Sequence, residues 1–115
     1  MAIAARTAVN PNPTPITVTI TPGDPRTNTK PAVDTGRARI SLNLDQEVLW
    51  QCTDPTQPFK IIFKGNSPFH DRVFYNNGKN RSGRPRPDVN PDSELPYAYT
   101  VICNGELDPD VIVEN

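Results

Sequence analysis

Period-two alternation of β-branched and aromatic residues recurs along the chain, and no apolar stretch keeps a helical period. Ile16-Thr17-Val18-Thr19-Ile20-Thr21 alternates strictly and predicts a strand, stopped by Pro22-Gly23-Asp24-Pro25. Ile40-Ser41-Leu42-Asn43-Leu44 alternates again and predicts a strand that turns at Asp45-Gln46 and returns as Val48-Leu49-Trp50-Gln51-Cys52. In that return strand Val48, Trp50 and Cys52 share a face. Phe59, Ile61 and Phe63 share a face of the next strand. Val73-Phe74-Tyr75 is a short strand ending at Asn77-Gly78, a strong turn dipeptide. Tyr97, Tyr99, Val101 and Cys103 line one side of a late strand. Asn104-Gly105 turns it toward a final strand that resumes as Val111-Ile112-Val113 after Asp108-Pro109.

Between these runs lie residues 22–36 and 76–96, two long Pro-punctuated irregular segments. The first is expected to be a crossover between sheets or a mobile loop. Residues 1–15, rich in Pro, Asn, Ala and Thr, are expected to form a flexible N-terminal arm. About seven short strands predict an all-β fold: an antiparallel β-sandwich occupying residues 16–115 as a single domain. Trp50 is the natural centre of its core, against aromatics of the Tyr97 strand.

Composition narrows this further. Fourteen prolines and six glycines leave no window for a long helix. The net charge of −1 favours neither nucleic acid nor an anionic membrane as partner. No run approaches the roughly 20 apolar residues of a spanning helix. Met1-Ala2-Ile3-Ala4-Ala5-Arg6 has no signal-peptide pattern, so a cytoplasmic setting is expected; a periplasmic or extracellular one would follow had a leader been removed.

Val48-Leu49-Trp50-Gln51-Cys52, Pro58-Phe59-Lys60-Ile61, and Tyr97-Ala98-Tyr99-Thr100-Val101 with Asp110-Val111-Ile112-Val113 together resemble the cupredoxin fold. The likeness runs over residues 38–113 and is to small bacterial plastocyanin-like domains, which implies a Greek-key sandwich. In that family a His stands where Phe59 is, and a Cys where Val101 is, both binding copper. The resemblance therefore implies a copper-free member with Phe59 and Val101 in the core beside Trp50, Tyr97 and Tyr99, and no cofactor. The chain holds one His and one Met, too few for the two His, Cys and axial Met of a type 1 site. Val-x-Trp and Tyr-x-Tyr strands also occur in immunoglobulin-like sandwiches.

Other candidate chemistry is sparse. Cys52 and Cys103 end strands on core-facing sides, and either a disulfide or two separate buried thiols would fit. A bridge would close a loop of roughly 50 residues. Catalysis at His70 would draw on Asp71 and Ser67, but neighbours in sequence rarely assemble a triad. Lys79, Arg81, Arg84 and Arg86 form a basic loop that could grip an anionic surface. Asp88, Asp92 and Glu94 lie close enough to neutralise it, and no aromatic is interleaved to stack on bases. Asn80-Arg81-Ser82 matches a glycosylation sequon.

The expected function is thus non-enzymatic: a structural or protein-interaction module, with a protein partner or self-association through edge-strand or arm contacts. The alternatives are metal handling or electron transfer, and ligand or carbohydrate binding by loops at one end of the sandwich, using the basic loop and Tyr75.

Overall fold

Nine strands and no helix carry the described chain, residues 14–91 and 95–115 of a computed structural model. Residues 1–13 of the expected arm, and 92–94 with Asp92 and Glu94, lie outside the described residues. The strands are β1 (Ile16–Thr21), β2 (Ala32–Val33), β3 (Arg37–Ser41), β4 (Val48–Cys52), β5 (Lys60–Phe63), β6 (Val73–Tyr75), β7 (Tyr97–Ile102), β8 (Glu106–Leu107) and β9 (Asp110–Glu114). They form two sheets, β2-β1-β4 and β3-β9-β7-β5-β6, with β8 beside β7. The all-β sandwich is as expected, and the two extra strands are the two-residue β2 and β8.

The expectation of purely antiparallel sheets is corrected. β1 and β4 pair in parallel, with Val18 opposite Trp50, and β3 pairs in parallel with β9, with Ile40 opposite Val113. The cause lies in residues 32–41. Val33 and Ala32 pair antiparallel with Ile20 and Thr21 of β1. Asp34 extends this by donating its N–H to Thr19 O, while its carboxylate accepts the Thr19 N–H. Asp34-Thr35-Gly36 then bends the same run into the other sheet as β3, a corner of the kind by which strands change sheets. The chain next reverses and enters β4, running the way β1 ran.

The expected hairpin between residues 40–44 and 48–52 is also corrected, because β3 and β4 lie in different sheets. β3 starts earlier and ends at Ser41. A turn over residues 42–45 follows, in which Asp45 N–H donates to Leu42 O and Gln46 N–H to Ser41 O. Asp45 takes φ 52° there, and Leu44 ends 56% exposed. Asn77-Gly78 and Asn104-Gly105 do turn the chain, with φ 83° at Gly78, 55° at Asn104 and 126° at Gly105.

Trp50, fully buried, sits among Phe74 at 5.1 Å, Tyr99 at 5.7 Å and Phe63 at 6.2 Å between ring centroids. Phe69 completes this cluster, edge-on to Phe63 at 5.7 Å. It reaches the core because Ser67 and Pro68 are buried with it and the Ser67 hydroxyl accepts the Phe69 N–H. Truncating a ring such as Trp50 to Ala would cost about 3–5 kcal/mol.

Candidate functional site

Each sheet has two edges, and the sequence treats them differently. Beyond β4 lies the segment 80–82, bonded to it as a short extra strand. Trp50 N–H donates to Asn80 O, Ser82 N–H to Val48 O, and Val48 N–H to the Ser82 hydroxyl. The Glu47 carboxylate holds this cover in place. It accepts from Arg81 Nη2 at 2.8 Å, Arg81 Nε at 3.3 Å and the Gly83 N–H at 3.2 Å. At the far side of the larger sheet β6 is only three residues long, and Tyr75 N–H is taken by Lys79 O.

β3 differs. Asp110 N–H donates to Gly36 O and Leu42 N–H to Glu114 O. By strand parity, the backbone groups of Ala38 and Ile40 also face β9, and those of Arg37 and Arg39 face away. Ser41 is closed off by Gln46, whose side chain accepts the Ser41 N–H. No other strand among the described residues pairs with Arg37 or Arg39 along this edge. Their guanidinium groups lie on β9's side, Arg37 bidentate to Asp110 at 2.8 and 3.0 Å and Arg39 to Glu114 at 3.2 Å. Asp110, largest through that hydrogen bond and then through its charge, raises the Arg37 pKa. β1, whose N-terminal end carries Thr14 and Pro15, packs near β3.

The four residues of the basic loop do not converge. Lys79 pairs with Asp71 at 3.5 Å and lies 5.9 Å from the Phe74 ring. Arg81 is spent on Glu47, which raises its pKa first by hydrogen bonding and then by charge. Arg86 is bound to Asp88, and to Ser67 O at 2.8 and 3.0 Å. Arg84 stays exposed. Of the four, Arg86 alone lines a groove of about 610 Å³, with Lys64, Val89, Leu95 and Tyr97. The Asn80 amide donates to Trp50 O, so the sequon's side chain is committed inward.

Phe59 and Val101, where the resemblance places copper ligands, are buried among the core residues with Trp50 and Tyr99, and Tyr97 packs at the core's margin. No cluster of three or more His, Cys, Asp or Glu that could hold a metal occurs among the described residues. Ser67's single hydroxyl proton goes to Asp71 O at 2.8 Å, so it is not held by His70, which is exposed.

Cys52 and Cys103 do meet, as free thiols. Ile20 sits opposite Cys52, and three residues on, the Gly23 N–H donates to Cys103 O. The end of β1 thus brings the end of β4 and the end of β7 together. Burial, then the neighbouring Cys52, pushes the Cys103 thiol up to about 12. Cys103 is closed to solvent, whereas half-buried Cys52 opens on a recess of about 270 Å³ walled by Gln51, Asp54, Gln57, Phe59, Asn76 and Asn80.

Sequence reasoning missed Glu47 and Ser82. Their partners stand 34 or more residues away, and only the pairing of a lone acid before a strand with a basic loop could have hinted at it. No family model, no curated protein and no solved structure matches the chain.

Proposed function

We propose that the chain is a non-enzymatic, copper-free cupredoxin-like module that works by protein contact and assembles with itself at the edge of β3. The observation that carries this is the outward-facing N–H and C=O of Arg37 and Arg39, on an edge that no other described strand pairs with. An unpaired edge accepts an added strand through main-chain hydrogen bonds. The arm supplies one: Ile3 to Val9 is free of proline, and Pro11, Pro13 and Pro15 follow as a spacer that does not compete for the ladder. In this reading the arm of one copy lies along β3 of the next. The copper-free part rests on Phe59 and Val101, hydrocarbon in place of the two ligands that the resemblance maps to those positions.

Light scattering on the full chain at high micromolar concentration tests the proposal. Oligomers are expected, and deletion of residues 1–13 should leave monomers. Arg39→Pro should do the same, because it removes an N–H that β9 does not use. A monomeric full chain, or oligomers that persist in the truncated form, would refute it.

A further inference from the structure

The geometry points to Cys52 and Cys103 as a thiol switch: exchange with a low-molecular-weight disulfide joins them in a bond between the two sheets. Three observations carry it. The cysteines come from different sheets, β4 in one and the end of β7 in the other, so a bond between them would add a covalent tie between the two layers. Backbone hydrogen bonds fix both ends of the pair: Thr53 N–H to Ile20 O beside Cys52, and Gly23 N–H to Cys103 O with Cys103 N–H to Gly105 O. A third tie, from the Asn104 amide to Gln57, joins the β7–β8 turn to the loop after Cys52 at 3.1 Å. The strand ends that carry the two cysteines are therefore held side by side in a braced framework.

The pair is also asymmetric in access. Cys52 forms part of the wall of the polar recess, while Cys103 lies behind it at 1% exposure. An external disulfide can reach the first sulfur but not the second. The Gln51 carboxamide oxygen and the Asn76 amide nitrogen offer hydrogen bonds suited to a peptide-like carrier such as glutathione.

The chemistry is ordinary thiol–disulfide exchange. The Cys52 thiolate attacks one sulfur of glutathione disulfide. That S–S bond breaks, and one glutathione thiolate leaves with the electron pair and takes up a proton. The protein is then a mixed disulfide at Cys52. Cys103 gives up its proton and attacks the Cys52 sulfur, expelling the second glutathione. Two protein thiols are oxidised and one glutathione disulfide is reduced to two glutathiones.

The test incubates the reduced full chain with glutathione disulfide, quenches free thiols by alkylation, and reads intact mass without reductant. The wild type should lose two hydrogens and block no thiol by alkylation. Cys103→Ala should stop at a single glutathione adduct on Cys52, and Cys52→Ala should react at Cys103 about tenfold more slowly or less. Near-UV circular dichroism confirms that each variant is folded. A measurement on the wild type alone guards against misfolded variants: closure in native buffer should outpace closure in concentrated urea by at least about tenfold, the native frame supplying a higher effective concentration than the random loop. A wild type that accumulates glutathione adducts without closing would overturn the proposal. Equal closure rates in buffer and urea would do so too, as would a Cys52→Ala protein that reacts at the wild-type rate.

Discussion

Glu47→Gln is the sharpest perturbation of the framework, because it changes one atom's chemistry and almost no volume. The Glu47 side chain is 10% exposed, and three N–H groups point at it. Glutamine keeps one oxygen as an acceptor but turns an NH₂ group toward Arg81, so the charge-assisted pair is lost. Hydrogen bonds to charged groups contribute about 1.5–3 kcal/mol each. The Arg81 side chain is 55% exposed, and water screens its half of the pair, which places the loss at about 1–2 kcal/mol. That corresponds to a melting-temperature drop of about 4–8 °C for a domain this size. A double-mutant cycle with Arg81→Gln should give a coupling near 1 kcal/mol. The loss should also be local. Glu47 holds the segment that covers β4, so the Trp50 and Ser82 amides, bonded to Asn80 O and Val48 O, should exchange about 5–30 times faster. The Phe63 amide, bonded to Arg72 O in the other sheet, serves as the control. Coupling within error of zero, or acceleration no greater at Trp50 than at Phe63, would refute the idea that Glu47 staples this cover.

Gly23→Ala should cost about 3 kcal/mol in urea unfolding. Its new Cβ would fall on the Asn104 carbonyl oxygen and lie 2.6 Å from Thr29 O and 2.8 Å from the Pro31 nitrogen, all backbone atoms. An unchanged urea midpoint would contradict that crowding. Tyr99→Phe should leave stability unchanged or raise it by up to about 1 kcal/mol. The buried Tyr99 hydroxyl has no hydrogen-bond partner among the described residues, Trp50 Nε1 stopping short of bonding geometry. A clear loss of stability would reveal a partner. Alkaline pH should destabilise the reduced protein in two stages. Burial raises Cys103 from 9.0 to about 12, with Cys52 and Asp54 adding to it, and burial raises Tyr99 from 10.0 to about 12. Both groups are neutral in the fold, so their contribution is complete below pH 9 and is lost as pH rises toward 12. The slope should be about 1.4 kcal/mol per pH unit from Cys103, steepening above pH 10 as Tyr99 joins. Urea midpoints from pH 8 to 11 check this, and Cys103→Ala must abolish the slope between pH 9 and 10.

Strands buried on one face wrote themselves plainly into the sequence. Ile16–Thr21, Val48–Cys52 and Tyr97–Ile102 alternate because one side meets the core and the other meets water. β3 was misplaced for a physical reason. In Arg37-Ala38-Arg39 the buried partner is only a methyl group, so the signal is weak. Leu42 and Leu44 extend the alternation into what is a turn. The change of sheet at Asp34-Thr35-Gly36 could be read only as a crossover somewhere within residues 22–36, since a corner uses the residues of any loop. Of the site, the core-facing parity of Cys52 and Cys103 was legible, but parity alone left open whether the two meet. The employment of Arg81 and Arg86 could not, because their anchors, Glu47 and the Ser67 carbonyl, are set by folding rather than by proximity in sequence.

The run from Ala32 to Ser41 belongs to both sheets at once, pairing with β1 at one end and β9 at the other. Two layers that share a strand cannot peel apart like the leaves of a book. Any opening of β1 from β2 pulls on the strand that anchors β9, so breakage in one layer is felt as tension in the other. The domain should therefore melt as one cooperative unit, with circular dichroism and Trp50 fluorescence tracing the same curve. Slow, partial opening should be confined to the parts outside that shared run: the cover on β4 and the short β6 edge.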